Sequence, residues 1–446
     1  MMKKLNVKLI QEGLKLTVIN LVLLFVFLEL GSLAFYLIIN KQFFYTREKS
    51  ENYQDLGINL EGVRVGGESI VERLHPFFGF VQKPGPDFRP GFKYNNYGFI
   101  TPYDYPFEKT NDNQVIVGVF GGSVASNYSI YEVKNKLLEK ILQQVPQYKN
   151  KEIIILSFAI GGYKQPQQLL ILNYMLARGQ KFDLIINIDG FNEVALSNLN
   201  NQRQLDFAMP SPAHIEPLTG LANNSLSDKA LRTLLEIKEN KEQLSDNLET
   251  LQDCKLASCN AIMSVYVQTL VKNYRENLQR FERYRNKPLD EDQESVIFFY
   301  NQDEVLPDAV FFEQVADYWA KTSILMHQVA AANNIPYFHF FQPNQYWKTN
   351  RKFSEAEKKI AFIESSPYKK GVKFGYPLLI KQIDELKANN INIFNALNIF
   401  DDVAEPVYGD NCCHYNARGE EIFSTYIGSS IVETLTDKSF EAKTQN

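Results

Sequence analysis

Four short groups in the 446-residue chain bring together residue types that can do chemistry jointly. Gly121-Gly122-Ser123 closes an apolar, β-branched run that begins at Val115. Gly161-Gly162 closes a second run, EIIILSFAIGG at 152–162, and Gly190-Phe191-Asn192-Glu193 closes a third, DLIINIDGFNE at 183–193. The fourth group, Asp410-Asn411-Cys412-Cys413-His414, stands just ahead of the last helix-like stretch. A serine hydroxyl is a poor nucleophile until a base takes its proton. Neutral imidazole does this near neutral pH, which nominates His414 as the base for Ser123. A carboxylate beside the ring would orient it and stabilise its charged form. Asp410 and Asn411 both stand close enough in sequence. Asn411 would orient the ring without lending it charge.

These groups need elements that carry them to one place. The runs at 115–120, 152–162 and 183–193 read as buried parallel strands, because a strand covered on both faces loses the polar alternation of a half-exposed one. Helix-like stretches lie between them, near 130–145 and 165–178. A helix is expected at 309–333, a strand at 335–341 (IPYFHFF), another at 391–397 and a final helix at 417–434. Strands alternating with helices predict an α/β domain built on a parallel sheet of about five strands. Sites in such sheets form beyond the carboxyl ends of the strands, which would gather the glycine-rich groups on one rim.

In chain order, the four groups resemble the conserved blocks of the SGNH (GDSL-like) hydrolases. GVFGGSVA resembles the first block, a strand followed by Gly-x-Ser. AIGGYKQPQQL resembles the second through Gly162, Gly190-Phe191-Asn192-Glu193 the third, and CCHYNARG the last through His414 and Gly419. The resemblance covers roughly 112–195 and 335–430. It implies a three-layer α/β/α flavodoxin-like sandwich and an acyl group carried on Ser123, with His414 as base and no metal or organic cofactor. It also implies an oxyanion hole made by the N–H of Ser123, the N–H of Gly162 and the side-chain amide of Asn192. Two positions depart from the pattern. The acid usually stands three residues before the histidine, where this chain has Asn411, with Asp410 one residue earlier. Glu193 stands where aspartate is common. The segments HPFFGF at 75–80 and YNNYGF at 94–99 resemble a stretch found ahead of some SGNH domains and are assigned no chemistry.

From Leu14 to Ile39 the chain is mostly apolar, with Lys15 and Glu29 its only charged residues, and long enough for a membrane-spanning helix. The weak match of Ser32 and Ala34 to a cleavage site favours an uncleaved anchor over a signal peptide. Glu29 would need protonation or a partner helix. Lys3, Lys4, Lys8 and Lys15 stand before or at the start of the span, against Lys41, Arg47 and Lys49 after it. That balance predicts a cytoplasmic tail at 1–13, a span at 14–39 and an extracytoplasmic remainder. A strand- and turn-rich lead-in is expected at 40–110, the α/β domain at 111–225 and 289–435, and a loose tail at 436–446. Between the two α/β halves, 226–288 has helical periodicity broken once near 255–259. It reads as a helical-hairpin insertion and a possible protein-binding surface. Cys254 and Cys259 flank the break, as a disulfide or as two free thiols.

The formal net charge of −5, without a clustered basic face, gives no support for nucleic-acid binding. Four cysteines without a CxxC pair, and five scattered histidines, supply no zinc-site spacing. Asp401, Asp402 and Glu405 read as a solvated acidic loop. His339 reads as a core or near-rim residue. Gln342 and Asn344 follow the end of the 335–341 run, where a pocket would lie. Cys412-Cys413 reads as a vicinal disulfide, a redox pair or packing beneath His414. The expected activity is hydrolysis of an acyl ester on a small molecule, lipid or polysaccharide of the cell envelope. An O-acyltransferase would use the same residues, and a non-catalytic scaffold would keep the fold and bind partners through the hairpin.

Overall fold

The computed structural model describes residues 2–39, 43–46, 72–86, 90–219, 228–285 and 304–444. The chain divides into two compact units. One takes the described residues up to Thr46 together with 228–285. The other takes 72–219 and 304–444. The chain opens in the first unit with helix α1 (Met2–Ile39). Its stretch Gly13–Ile38 is long and apolar enough to cross a membrane, with mean hydropathy 2.4.

The second unit is α/β. It begins with an antiparallel pair, β1 (Glu72–His75) and β2 (Gly79–Gln82). A small antiparallel sheet follows, made of β3 (Gly85–Pro86), β4 (Lys93–Tyr94) and β5 (Ile100–Thr101). Next come β6 (Gln114–Gly121), α2 (Ser123–Asn135), α3 (Leu137–Leu142) and β7 (Glu152–Ala159). Then come α4 (Gln167–Ala177), β8 (Leu184–Asp189), α5 (Phe191–Asn201) and α6 (Pro212–Thr219). The chain leaves for α7 (Asp228–Asp253) and α8 (Ala257–Arg285) in the other unit. It returns with α9 (Asp308–Ala332), β9 (Tyr337–Phe341), α10 (Glu355–Ala361), α11 (Lys369–Ala388), β10 (Asn392–Asn395) and α12 (Ala417–Thr444).

Five strands form one parallel sheet in the order β10-β9-β8-β6-β7. Every residue of β6, β8 and β9 is buried, which is why these segments are apolar almost without interruption. The first strand of the sheet lies inside it, with the second on one side and the third on the other. The order therefore reverses at β6. The register aligns the strand ends: Gly121 pairs with Ala159 and with Ile188, Asp189 pairs with Phe341, and Phe341 pairs with Asn395. The loops that leave these ends share one edge of the sheet.

The structure differs from the sequence expectation at several elements. The single helix expected near 130–145 is two, parted by Lys136 in the left-handed conformation at φ 52°. The last helix continues past 434 to Thr444 instead of giving way to a loose tail at 436, and no glycine or proline interrupts that stretch. In the helical unit, α7 and α8 share a core made by Leu244, Leu248 and Leu251 with Val267, Leu270 and Tyr274. The i, i+4, i+7 spacing of the α7 leucines puts them on one face. Cys254 and Cys259 form a disulfide at the connection between the two helices.

Candidate active site

Ser123 is the first residue of α2, directly beyond β6. The turn that delivers it is made of glycines for steric reasons. Gly121 has φ +143°, and a Cβ there would lie 2.1 Å from the Ile188 carbonyl oxygen. Gly122 is the N-cap and contributes no side-chain cap, so the first-turn N–H groups of α2 stay open to another acceptor. A Cβ on Gly122 would lie 2.2 Å from Asn192 Nδ2. The Asn192 amide is thus packed against the backbone that carries Ser123.

Asn192 stands at the start of α5, beyond β8, and its Nδ2 donates to the Tyr163 carbonyl at 2.7 Å. That bond ties it to the turn after β7, which holds Gly162 at φ +85°. Glu193 fastens the same two loops. Its Oε2 accepts the Gly190 N–H at 2.7 Å, and its Oε1 accepts the Gln165 N–H at 3.1 Å and Gln168 Nε2 at 3.3 Å. Burial, reinforced by the charge of nearby Asp189, pushes the Glu193 carboxyl up to about 8. Asp189 lies beneath, accepting from Trp319 Nε1 and His339 Nε2, both at 2.6 Å. Burial opposes its ionisation, yet His339 and these bonds hold it below the usual carboxylate range. His339 is fully buried, a core residue that fixes Asp189.

His414 and Asp410, the candidate base and acid, sit in the loop before α12. Asp410 Oδ2 is hydrogen-bonded to His414 Nδ1. Asp410 Oδ1 accepts the N–H groups of Cys412 at 2.9 Å, Cys413 at 3.1 Å and His414 at 3.2 Å. Of the two candidates for the acid, the structure pairs Asp410 with the imidazole; Asn411 instead offers its carbonyl to Tyr346 Oη at 2.8 Å. Burial pulls the His414 imidazole down, but the Asp410 carboxylate outweighs it and leaves His414 above its ordinary value. Asp410 is depressed: burial opposes ionisation, and the His414 bond with the backbone N–H groups prevails. Behind His414 lies Glu420, a buried carboxyl that burial pushes up to about 8.

The segment after β9 clamps this loop. Asn344 Nδ2 holds the Cys412 carbonyl at 3.0 Å, Gln345 Nε2 holds the Asp410 carbonyl at 3.1 Å, and Tyr415 Oη donates to the Pro343 carbonyl at 2.7 Å. Gln342 and Asn344 are both buried and line no open pocket; Asn344 is a strut for the loop. Ser123 Oγ lies 4.0 Å from Cys413 Sγ, so the serine adjoins the residue before His414. Among the described residues no hydrogen bond joins Ser123 to His414. No disulfide joins Cys412 and Cys413, whose sulfurs lie 3.4 Å apart, so the vicinal disulfide the sequence offered is not formed. Burial and its neighbour keep the Cys413 thiol well above its ordinary value, hence protonated.

One pair escaped the sequence reading. His214, at the start of α6, packs so close to Gly162 that a Cβ there would lie 2.2 Å from His214 Nε2. Its Nδ1 pairs with Glu72 Oε1 at 2.8 Å, and its ring stacks on Phe80 at 4.5 Å. The Phe80 carbonyl in turn accepts Tyr163 Oη at 2.5 Å. The β1–β2 pair thus braces the Gly162 turn, a role that the HPFFGF motif alone did not disclose. Ser123, Gly162, Asn192, Asp410 and His414 are all half-buried. Among the described residues no group of three or more His, Cys, Asp or Glu side chains could hold a metal ion. Neither the protein-family models nor the curated proteins compared with this chain match it.

Proposed function

We propose that the chain is a membrane-anchored acyl hydrolase or acyltransferase of the SGNH type, working through an acyl-Ser123 intermediate. The observation that carries this reading is the His414–Asp410 pair, held in a loop whose Cys413 adjoins Ser123 at 4.0 Å. The strand order, 2-1-3-4-5 when the parallel strands are counted along the chain, is that of flavodoxin-like sheets. Ser123 and Asn192 leave β6 and β8, the strands on either side of the reversal, where ligands bind in such sheets.

In the proposed reaction His414 takes the Ser123 proton as the hydroxyl oxygen attacks an ester carbonyl. Asp410 keeps the ring oriented and stabilises its charge. The tetrahedral oxyanion is received by the N–H groups of Ser123 and Gly162 and by Asn192. An amide nitrogen has two N–H donors, so Asn192 has one for Tyr163 and one for the oxyanion. His414 then protonates the leaving alcohol, and water or an acceptor alcohol releases the acyl group. Transfer to an alcohol uses the same residues and is read by adding one. The α7–α8 pair is an insertion in this reading, and residues after α1 lie outside the cytoplasm, where acylated carbohydrates and lipids of the envelope are the available substrates.

The missing Ser123–His414 hydrogen bond supports a second reading, a non-catalytic scaffold of the same fold. Catalytic hydrogen bonds are often loose before substrate binds, which is why the first reading stands ahead. Labelling of the full chain with a fluorophosphonate, beside Ser123→Ala, separates the two. Labelling lost in the variant supports the enzyme; a folded wild-type chain that does not label points to the scaffold.

A further inference from the structure

Glu29 is an acidic residue within the apolar stretch Gly13–Ile38, and the structure supplies its partners. It accepts the backbone N–H groups of Ala257 at 2.8 Å and Ser258 at 2.9 Å, and the hydroxyls of Ser258 and Tyr45. Ala257 and Ser258 are the first two residues of α8, so Glu29 caps that helix from outside, a favourable place for a carboxylate. Tyr36 Oη adds a bond to Asn260 at 2.6 Å, and Tyr36 and Phe44 pack with Ala257. The tip of the α7–α8 pair is therefore fixed to α1 nine residues before the apolar stretch ends.

That attachment sets its depth. A hydrocarbon core of about 30 Å takes about 20 helical residues, and Gly13–Ile38 has 26. The surplus lets Glu29 sit close to one boundary of the core, near Tyr36 and Tyr45, a residue type that favours such a boundary. From Ala257 to Val271, α8 has no charged residue. Beside the exposed Leu256, it presents Ile262, Val265 and Tyr266 outward at 61%, 66% and 46% exposure, spaced i, i+3, i+4 on one face. The neighbouring end of α7 presents Glu249, Asp253 and the following Lys255 to solvent. One side of the tip is apolar and uncharged; the other is charged.

We infer that the first four turns of α8 lie in the headgroup–acyl boundary of the same bilayer that α1 crosses, giving the chain a second membrane contact that does not span. The occupant of the Leu256–Ile262–Val265–Tyr266 face is lipid. Partial immersion of an amphipathic helix matches the two-sided tip, since full immersion would bury Glu249, Asp253 and Lys255. The contact fixes how the α7–α8 pair leaves the membrane surface.

The test uses the full chain reconstituted in phosphatidylcholine vesicles, with and without brominated acyl chains that quench tryptophan. Ile262→Trp and Val265→Trp change exposed positions and leave the α7–α8 core alone; Glu249→Trp is the control. The two native tryptophans, Trp319 and Trp347, give a background measured in the wild type. The added emission of both apolar-face variants should fall by most of its value in brominated vesicles, while that of Glu249→Trp should stay. Anything short of quenching at both positions overturns the inference. So does equal quenching at 249. Shielding of both positions from bromine and from aqueous acrylamide alike also overturns it, because a protein partner would then cover the face.

Discussion

Asp410 grips His414 with both carboxylate oxygens, Oδ2 on the ring Nδ1 and Oδ1 on the histidine's own N–H at 3.2 Å. One side chain thus sets the tautomer of the His414 ring and the path of the loop that presents it. A neutral residue at 410 would do the second task only in part and the first without charge.

Asp410→Asn should lower turnover of an activated ester by on the order of 10³–10⁴-fold, as loss of an orienting carboxylate does in serine–histidine sites. Asn411→Ala, which leaves the carbonyl that Tyr346 uses, should change it by less than about three-fold. Steady-state kinetics on p-nitrophenyl acetate, with a thermal melt to confirm folding, decide between them. Equal effects from both variants would mean that Asp410 is not the acid.

In the proposed mechanism His414 is a base only when neutral, so the rate of fluorophosphonate labelling should rise with pH. Its midpoint should lie above the ordinary imidazole value of about 6.5, because Asp410 raises it. Asp410→Asn should move the midpoint down. Stability follows the same pair. The raised His414 contributes fully below about 6.5, and that contribution is lost as pH climbs through its folded value. The depressed Asp410 contributes above about 3.9, and that contribution is lost as pH falls through its folded value. Melting temperatures across pH 3–9 for wild type and His414→Ala should diverge most between those limits. Parallel curves would exclude the pair as a source of pH-dependent stability.

Asn192→Ala should cost about 2.7–4 kcal/mol of transition-state stabilisation, seen in kcat with KM nearly unchanged. Gly122→Ala should reproduce much of that loss by a different route, because its methyl would displace Asn192 Nδ2 from 2.2 Å away. If the two variants combined lose twice what either loses alone, they act independently and the packing argument fails.

Gly162→Ala faces two penalties, a left-handed backbone at φ +85° and a methyl 2.2 Å from His214 Nε2. Together they should destabilise the chain by about 1–3 kcal/mol. Adding His214→Ala removes the steric part and leaves the backbone part. Urea unfolding of the double variant should therefore show less destabilisation than the two single changes summed. Strict additivity would mean that His214 does not brace the Gly162 turn.

The parallel sheet could be read from the sequence because strands buried on both faces must be mostly apolar, as 115–120 is and as 184–188 is apart from Asn187. The glycine groups at their ends could be read because backbone crowding allows nothing larger. The His214–Glu72 pair could not, since its two members stand 142 residues apart and meet only through the fold. Helix α11 was hidden for a different reason. It contains Gly371, Gly375 and Pro377, which look like loop residues. Yet a Cβ at 371 would lie 2.7 Å from the Ala195 Cα, and one at 375 would lie 2.3 Å from Val194 Cγ1. These glycines permit close approach of two helices, a requirement set by the partner and invisible in the segment itself. Lys136 likewise breaks the helix after β6 with no local signal.

The clamp on the 410–415 loop grips main-chain atoms: Asn344, Gln345 and Tyr346 hold the carbonyls of Cys412, Asp410 and Asn411. A carbonyl is present whatever residue carries it. The side chain at 411 is thereby released from shaping the loop, and sequence drift there is cheap. The distance along the chain between acid and histidine can shift by one while their meeting point stays put. A template written around a fixed acid-to-histidine interval would pass over such a chain, so constancy in this loop is better sought in the residues that hold it from across the sheet edge.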